Sequence, residues 1–315
     1  MKASVYEEYG GLDVLQTAEV DRPEPGRREV LVRVHAAALN PKDLLLRKGK
    51  FGLLGGRAFP KTPGYDVAGI VEALGPGARG VQAGQQVYGM INAMNPGGCA
   101  EFVTVPQGEL APKPESLSMT EAAALPLVGQ TALQALRLMG LQRGHRILIN
   151  GASGGVGLHA VQIAKRLGGL VTAVCSHRNV ERVLEVGADE VVDYTKEDPL
   201  GLSVFDGFFD AFGNLPYEKS RKLVKRARSY VSVLPRPSTF ANELLARLGL
   251  PRPRLVIVRS RRQDLEQLSE WVAEGTLRPI VDRVYPLEEM VDAQAYLETK
   301  RARGKVVIRV AAGMN

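Results

Sequence analysis

Between residues 146 and 157 the chain reads Arg146-Ile-Leu-Ile-Asn-Gly-Ala-Ser-Gly-Gly-Val-Gly157, an apolar run that stops at a cluster of glycines. Residue types in that order suit one task. A glycine-rich turn lets backbone come close to a bulky anion, and the unpaired N–H groups and positive dipole end of a following helix favour the charge of a diphosphate. Read against the spacing G-x-G-x-x-G, the segment gives Ala152, Gly154 and Gly157, so an alanine stands at the first glycine position. Ser153, Gly154, Gly155 and Val156 are then the residues expected to face the diphosphate, while Gly157 lets helix and strand pack closely. A glycine-rich turn that holds no ligand is the bland alternative.

The next apolar run ends Ala173-Val-Cys-Ser-His-Arg178. A site for NADH places an acidic side chain there to accept hydrogen bonds from the ribose 2′-hydroxyl. No carboxylate is present. Ser176 offers a hydroxyl and Arg178 a planar cation, a pair suited to a 2′-phosphate, so the residues point to NADPH. Arg178 could instead be a solvated residue at a helix start.

Elements that could carry these residues follow from the hydrophobic pattern. Short strands broken by turn residues fill the first part, at 3–6, 29–37, 67–74 and 86–89, with at most a short helix near 41–47. From about Thr120, Ala and Leu recur at helical spacing to Met139. Strands are then predicted at 146–150, 170–175, 190–193, 205–211, 230–234 and 254–259, alternating with helices at 156–167, 180–186, 217–224 and 240–248. Repeated strand-then-helix units imply a parallel sheet covered on both faces. A charged helix at 262–273, a strand at 280–285, a helix near 287–298 and a strand at 305–310 complete the chain, and this tail is expected to pack back on the first part.

With 315 residues, two domains are the leading expectation. No run approaches the ~20 apolar residues of a spanning helix, and the first residues lack a leader pattern, so a cytoplasmic protein without membrane attachment is expected. Cys99 and Cys175, the two cysteines, are far apart and without ligand spacing, which argues against a disulfide framework or a cysteine-rich zinc site. The formal charge is +7, but the basic residues are spread, with denser stretches at 221–228, 252–262 and 300–305. They read as solvated faces rather than a nucleic-acid surface.

Taken together, the residues resemble the medium-chain dehydrogenase/reductase superfamily, and within it the zinc-free quinone oxidoreductase branch. The resemblance rests on Asn40-Pro-Lys-Asp43 with Arg47 and Gly49, Pro63-Gly-Tyr-Asp-Val-Ala-Gly69, Gly129-Gln-Thr-Ala132, the loop 150–157, Gly187-Ala-Asp-Glu-Val-Val-Asp-Tyr194 and Gly304-Lys-Val-Val307. It implies an α/β protein in which a Rossmann doubly wound parallel sheet, residues 118–263, binds NADPH. That sheet would be inserted in a mainly-β GroES-like catalytic domain, residues 1–117 and 264–315. Where the zinc-dependent branch carries metal ligands, this sequence has Asn40, Tyr65 and Leu127, and the cysteine-rich structural lobe is missing. No metal site is therefore expected. His35, His145, His159 and His177 are scattered and read as packing or surface residues.

The resemblance also implies further contacts. Thr131 is similar to a threonine near the nicotinamide, or else caps a helix start. Tyr194 resembles a tyrosine beside the adenosine phosphate, with a packing role as the alternative. Phe212 and Gly213 after the fourth strand, and Leu234 and Pro235 after the fifth, fall where ligands of open α/β sheets bind. Lys305 resembles a basic residue that reaches the cofactor, or is a surface lysine.

For chemistry, the branch implies hydride transfer from NADPH to a quinone or to the β-carbon of an enone, with a donor stabilising the developing oxyanion. Asn40 is the candidate for that donor or for positioning the nicotinamide, and a turn residue before Pro41 is the alternative. Related reductases often place a tyrosine within the segment after the asparagine; this chain has Leu44, Leu45 and Leu46 and then Phe51. Tyr65 and Tyr88 remain candidate proton donors, otherwise solvent. Cys99 reads as a small buried apolar residue. An enoyl-thioester reductase using the stretch 252–262 on a carrier phosphate, and an NADPH-binding protein with an RNA or protein partner, are the competing functions. The predicted last Rossmann strand, 254–259, has an open edge, and a homodimer joined there is expected.

Overall fold

Valines alternate at Val30, Val32 and Val34, which makes the segment around them strand-forming. The computed structural model describes residues 1–56 and 58–311. Arg57, in the loop 51–59 whose shape the sequence leaves open, and the last four residues of the expected span 264–315 lie outside the described residues.

In chain order the first elements are β1 (Lys2–Val5), β2 (Gln16–Glu19), β3 (Glu29–Leu39), α1 (Pro41–Arg47), β4 (Asp66–Leu74), β5 (Gln86–Met90), β6 (Phe102–Pro106), β7 (Leu110–Pro112) and α2 (Met119–Ala123). Next come α3 (Pro126–Met139), β8 (Arg146–Asn150), α4 (Gly155–Arg166), β9 (Leu170–Cys175), α5 (Val180–Glu185), β10 (Glu190–Asp193), β11 (Gly207–Asp210), α6 (Tyr217–Ser220), β12 (Tyr230–Ser232), α7 (Pro237–Arg247) and β13 (Arg254–Leu255). The chain ends with α8 (Arg262–Ala273), β14 (Val281–Pro286), α9 (Met290–Glu298) and β15 (Lys305–Arg309).

The chain forms two compact units. The first comprises Met1–Leu127, Arg259–Gly275 and Pro279–Asn315, and the second Val128–Val258 with Thr276–Arg278. The boundary therefore falls ten residues later than expected at the first crossing and five earlier at the second. Helix α2 explains the first shift, because it packs on β3, β4 and β15. Its start is fixed by Ser118, whose Oγ accepts from Glu121 N at 3.3 Å while Glu121 accepts from Ser118 N at 2.9 Å. At the far side, the side-chain amide of Gln162 exchanges two hydrogen bonds with Arg278 backbone, at 2.9 and 3.1 Å, and so ties 276–278 to the second unit.

The first unit is built on the long strand β3. Its sheet runs β14-β15-β3-β4-β5-β7, with β6 also paired to β3. Every pairing is antiparallel except β14 with β15. One core gathers Val30, Val32, Val34, Val67, Val87, Val105 and Ile308. Opposite β4 the register skips His35, which bulges between Val34 and Ala36. Arg47 of α1 is completely buried: its guanidinium donates to Gln294 Oε1 at 2.8 Å, to Glu298 Oε1 at 2.5 Å and to Gly10 O at 2.8 Å. That residue joins α1 to α9 and to the loop at Gly10.

The second unit is a six-stranded parallel sheet of order β10-β9-β8-β11-β12-β13, the doubly wound arrangement expected, with its order reversing between β8 and β11. Several expected elements are shorter than their patterns: the strands at 205–211 and 230–234 are formed over Gly207–Asp210 and Tyr230–Ser232. The helix at 217–224 ends as α6 at Ser220 and continues as a tighter turn to Leu223. The strand at 254–259 is ordered into the sheet only over Arg254–Leu255. Among the described residues, no helix is long and apolar enough to cross a membrane.

Candidate functional site

Strand β8 is buried from Ile147 to Asn150 and delivers the chain to the glycine turn. The left-handed residue of that turn is Gly151, φ 74°, rather than the position read as the first glycine. Ala152, completely buried within the turn, donates its N–H to Val174 O at 3.0 Å and so ties the turn to β9. Gly154 caps α4 with no side chain, which leaves the first N–H groups of α4 without acceptors inside the helix. A Cβ on Gly157 would lie 2.2 Å from Gly151 O, so only glycine lets the helix start this close to the turn. Ser153, Gly154, Gly155 and Val156 are all half-buried along this turn, as a diphosphate cradle requires.

Ser176 follows β9, and a tight turn over His177–Asn179 comes next. Asn179 Nδ2 donates to Ser153 Oγ at 3.1 Å and to Ser176 Oγ at 3.2 Å. The two hydroxyls that the sequence placed at separate contacts are thus brought together by a third residue. Arg178 is exposed beside them and makes no ion pair with a described residue. Tyr194 and Phe212, more than half exposed, stand after β10 and β11. Large aromatic rings left open at the carboxyl ends of parallel strands are suited to lie against a nucleotide.

A buried carboxylate shapes the loop that holds Phe212 and Gly213. Asp210 Oδ1 accepts from Asn150 Nδ2 at 2.7 Å and Gly213 N at 2.8 Å, and Oδ2 accepts from Leu215 N at 3.1 Å and Tyr230 Oη at 3.2 Å. Burial raises the carboxyl of Asp210 above its usual range, although these four donors oppose the shift. Arg236 donates to Gly213 O at 2.9 Å, which joins this loop to the one carrying the half-buried Leu234 and the exposed Pro235. Thr131 is almost wholly buried inside α3. Because α3 begins at Pro126, the alternative of a helix-start cap is corrected.

In the first unit, Asn40, Asp43, Asp66 and Lys305 form one buried network. Lys305 Nζ donates to Asp66 Oδ2 at 2.8 Å, Asn40 Oδ1 at 2.5 Å and Leu39 O at 3.1 Å. Three protons meet three acceptors. Lys305 is therefore neither a surface lysine nor a free cation for a ligand, and both expectations are corrected. Asn40 Nδ2 donates to Asp66 Oδ2 at 3.0 Å and Ala38 O at 3.3 Å. Its amide is fully committed, so the expected direct donor to an oxyanion does not fit, and Asn40 is a positioning residue. Asp66 Oδ1 accepts from Leu127 N at 2.7 Å. Asp43 accepts from Asn40 N at 2.8 Å and Gly64 N at 2.7 Å, and burial lifts its carboxyl to about 6, with neighbouring Asp66 adding to the shift.

The tyrosines expected as proton donors are occupied. Tyr88 Oη, buried, donates to Leu265 O at 2.6 Å and lies 2.9 Å from Ser269 Oγ. Tyr65 is buried, with its hydroxyl on Met94 O at 3.3 Å and Lys42 Nζ 3.8 Å from the ring centroid. Burial raises both phenols well above the usual tyrosine range. Sequence reasoning missed Asp43, Asp66, Asn179 and Asp210. The first two stand inside quoted motifs, and aspartates among apolar neighbours were the available signal.

A zinc ion, which the wider family implies, does not fit these residues. Among the described residues, no group of three or more His, Cys, Asp or Glu side chains could hold a metal. Cys99 and Cys175 are both buried free thiols. In the basic stretch 252–262, Arg254 pairs with Glu243 at 3.0 Å and Arg262 with Glu266 at 2.8 Å, which ties these cations to the protein itself.

Two family models match the chain: an alcohol dehydrogenase GroES-like domain over residues 26–115 and a zinc-binding dehydrogenase domain over residues 186–308. Among curated proteins, the chain is 38% identical to a 2-methylene-furan-3-one reductase of Solanum lycopersicum, covering 98% of this chain and 79% of that one. It is 36% identical to an Arabidopsis thaliana NADPH-dependent alkenal/one oxidoreductase, with the same coverage. The solved structure of a quinone oxidoreductase from Coxiella burnetii superposes with a TM-score of 0.90 at 32% identity, covering 99% of both chains.

Proposed function

Since the chain belongs to the medium-chain dehydrogenase/reductase superfamily, in its quinone oxidoreductase branch, we propose that it reduces quinones or α,β-unsaturated carbonyls with NADPH and without a metal. The observation that carries this reading is the closed network that Asp66 and Lys305 form with Asn40, a residue at one of the positions where the zinc-dependent branch has metal ligands. Without a Lewis acid, saturated carbonyls lose the polarisation their reduction needs, whereas conjugated acceptors need less help.

When bound, NADPH supplies a hydride, to the β-carbon of an enone or to a quinone. The half-turn 153–156 holds the diphosphate by backbone N–H groups, and Ser153, Ser176 and Arg178 hold the 2′-phosphate. Tyr194, Phe212, Gly213, Leu234 and Pro235 line the nucleotide, with Asp210 fixing their loop. Asn40 positions rather than donates. With Tyr65 and Tyr88 both occupied, the proton that completes the reduction comes from solvent.

A homodimer is also proposed, through α7 as well as the edge of β13. Helix α7 turns Glu243 inward, where it accepts from Arg254 and from Leu255 N, and turns Phe240, Leu244 and Leu248 outward. Leu244 and Leu248 are 64% and 73% exposed, and Leu250 and Ile257 extend the apolar surface. A helix with its carboxylate inside and its leucines outside calls for cover, and a two-fold copy of the same face is self-complementary.

The direct test is NADPH consumption across quinones, enones, aldehydes and enoyl thioesters, with and without chelator. Turnover of quinones or enones, indifferent to chelator, is expected. Activity confined to aldehydes and abolished by chelation would reject the proposal.

A further inference from the structure

The side chain of Asn179 touches both the glycine turn and the end of β9. Its Nδ2 carries two protons, and these go to Ser153 Oγ and Ser176 Oγ. Its own backbone N–H donates to Ser176 O at 2.9 Å, which fixes the turn from which the amide reaches. Its Oδ1 is buried, with no hydrogen-bond partner among the described residues.

Hydroxyl groups have one proton each. When both serines accept from the Asn179 amide, their own protons point away from it. The two oxygens are no farther apart than the two hydrogen bonds laid end to end, a gap that one phosphate can bridge when two of its acceptor oxygens each take a hydrogen bond. A ribose 2′-hydroxyl needs an acceptor from the protein, and this arrangement offers donors instead.

We propose that Asn179 is the positioning residue that sets NADPH over NADH, by aiming the Ser153 and Ser176 protons together at the 2′-phosphate. The inference rests on the NADPH reading above and deepens it. Asn179→Asp keeps the size but reverses the polarity: a carboxylate draws both hydroxyl protons inward and repels the phosphate.

Calorimetric titration of the full chain measures it, with NADPH and NADH, and with adenosine 2′,5′-bisphosphate against adenosine 5′-monophosphate. In Asn179→Asp the Kd for the two 2′-phosphorylated ligands should rise about tenfold or more, as expected when charge-assisted hydrogen bonds are lost, with the other two changed by less than about threefold. Ser176→Ala removes one donor without a new charge and should show a smaller loss with the same selectivity, which protects the test should Asn179→Asp unfold on heating earlier than wild type. Equal weakening of all four ligands in both variants makes Asn179 merely structural and overturns the proposal, as does an unchanged preference. A wild-type chain that takes up neither dinucleotide, or both equally, removes instead the NADPH reading on which the proposal stands.

Discussion

The ammonium of Lys305 sits 2.8 Å from the Asp66 carboxylate, with 3% and 0% of the respective side chains exposed. A buried pair of this kind adds little over an apolar pair of the same shape, yet removing one partner strands the other charge. Lys305→Met should therefore destabilise the protein by about 3–5 kcal/mol. Adding Asp66→Asn should recover part of that loss, because no bare carboxylate remains. Urea unfolding of the two variants checks both statements; a double variant weaker than the single one by the full cost of each change contradicts them.

Asp43 gives a pH dependence of unusual sign. Burial raises its carboxyl from 3.8 to about 6 in the folded chain, which therefore holds the proton more tightly than the unfolded chain. Between those values the folded state binds more protons, so this group's contribution to stability declines as pH rises from 3.8 to about 6. The side-chain amide of an Asp43→Asn variant cannot titrate. Relative to that variant, wild type should lose stability across the window, as read by denaturation at matched pH.

His35 contributes the opposite slope. Both ring nitrogens are buried without a hydrogen-bond partner among the described residues, and burial lowers the ring below its usual 6.5, with Arg33 adding to the shift. The unfolded chain binds the proton more readily, so stability is lost as pH falls through and below 6.5. His35→Leu should flatten that fall. It should also leave stability at pH 8 unchanged or raised by about 1 kcal/mol, since an unpaired buried group is removed.

Gly157→Ala places a methyl group 2.2 Å from Gly151 O and 2.6 Å from Ala152 Cα. Backbone must move. A stability loss of about 1–3 kcal/mol is expected from the overpacking, together with weaker nucleotide binding, as a melting curve and a titration would report.

For α7, Leu244→Glu combined with Leu248→Glu should convert the proposed dimer to a monomer in light scattering while NADPH binding persists. Wild type that is monomeric at micromolar concentration rejects the interface.

What the residues disclose in advance is local. The run Ile147–Ile149 followed by glycines reads as strand, turn and helix because each feature lies within a dozen positions. Lys305 was misjudged because its partners Asp66 and Asn40 are 239 and 265 residues away, and no periodicity signals such a meeting. The predicted strand at 254–259 illustrates a different failure. Its apolar residues fit a strand, but pairing with β12 runs only through Leu255. Asn179 went unnoticed because its task depends on two serines that the fold, not the spacing, brings within reach of one amide.

The strand β15, later in the chain than every other described strand, lies beside β3, which ends at Leu39. Every strand of the parallel sheet has been synthesised before Lys305 appears, so that sheet can mature while the first unit waits for its closing strand. Until then Asp43 and Asp66 lack the cation that neutralises them, and a nascent chain stalled before residue 305 should resist protease over residues 128–258 but not over the opening segment. Closure of the first unit's sheet and charge balance at this core are thus one event.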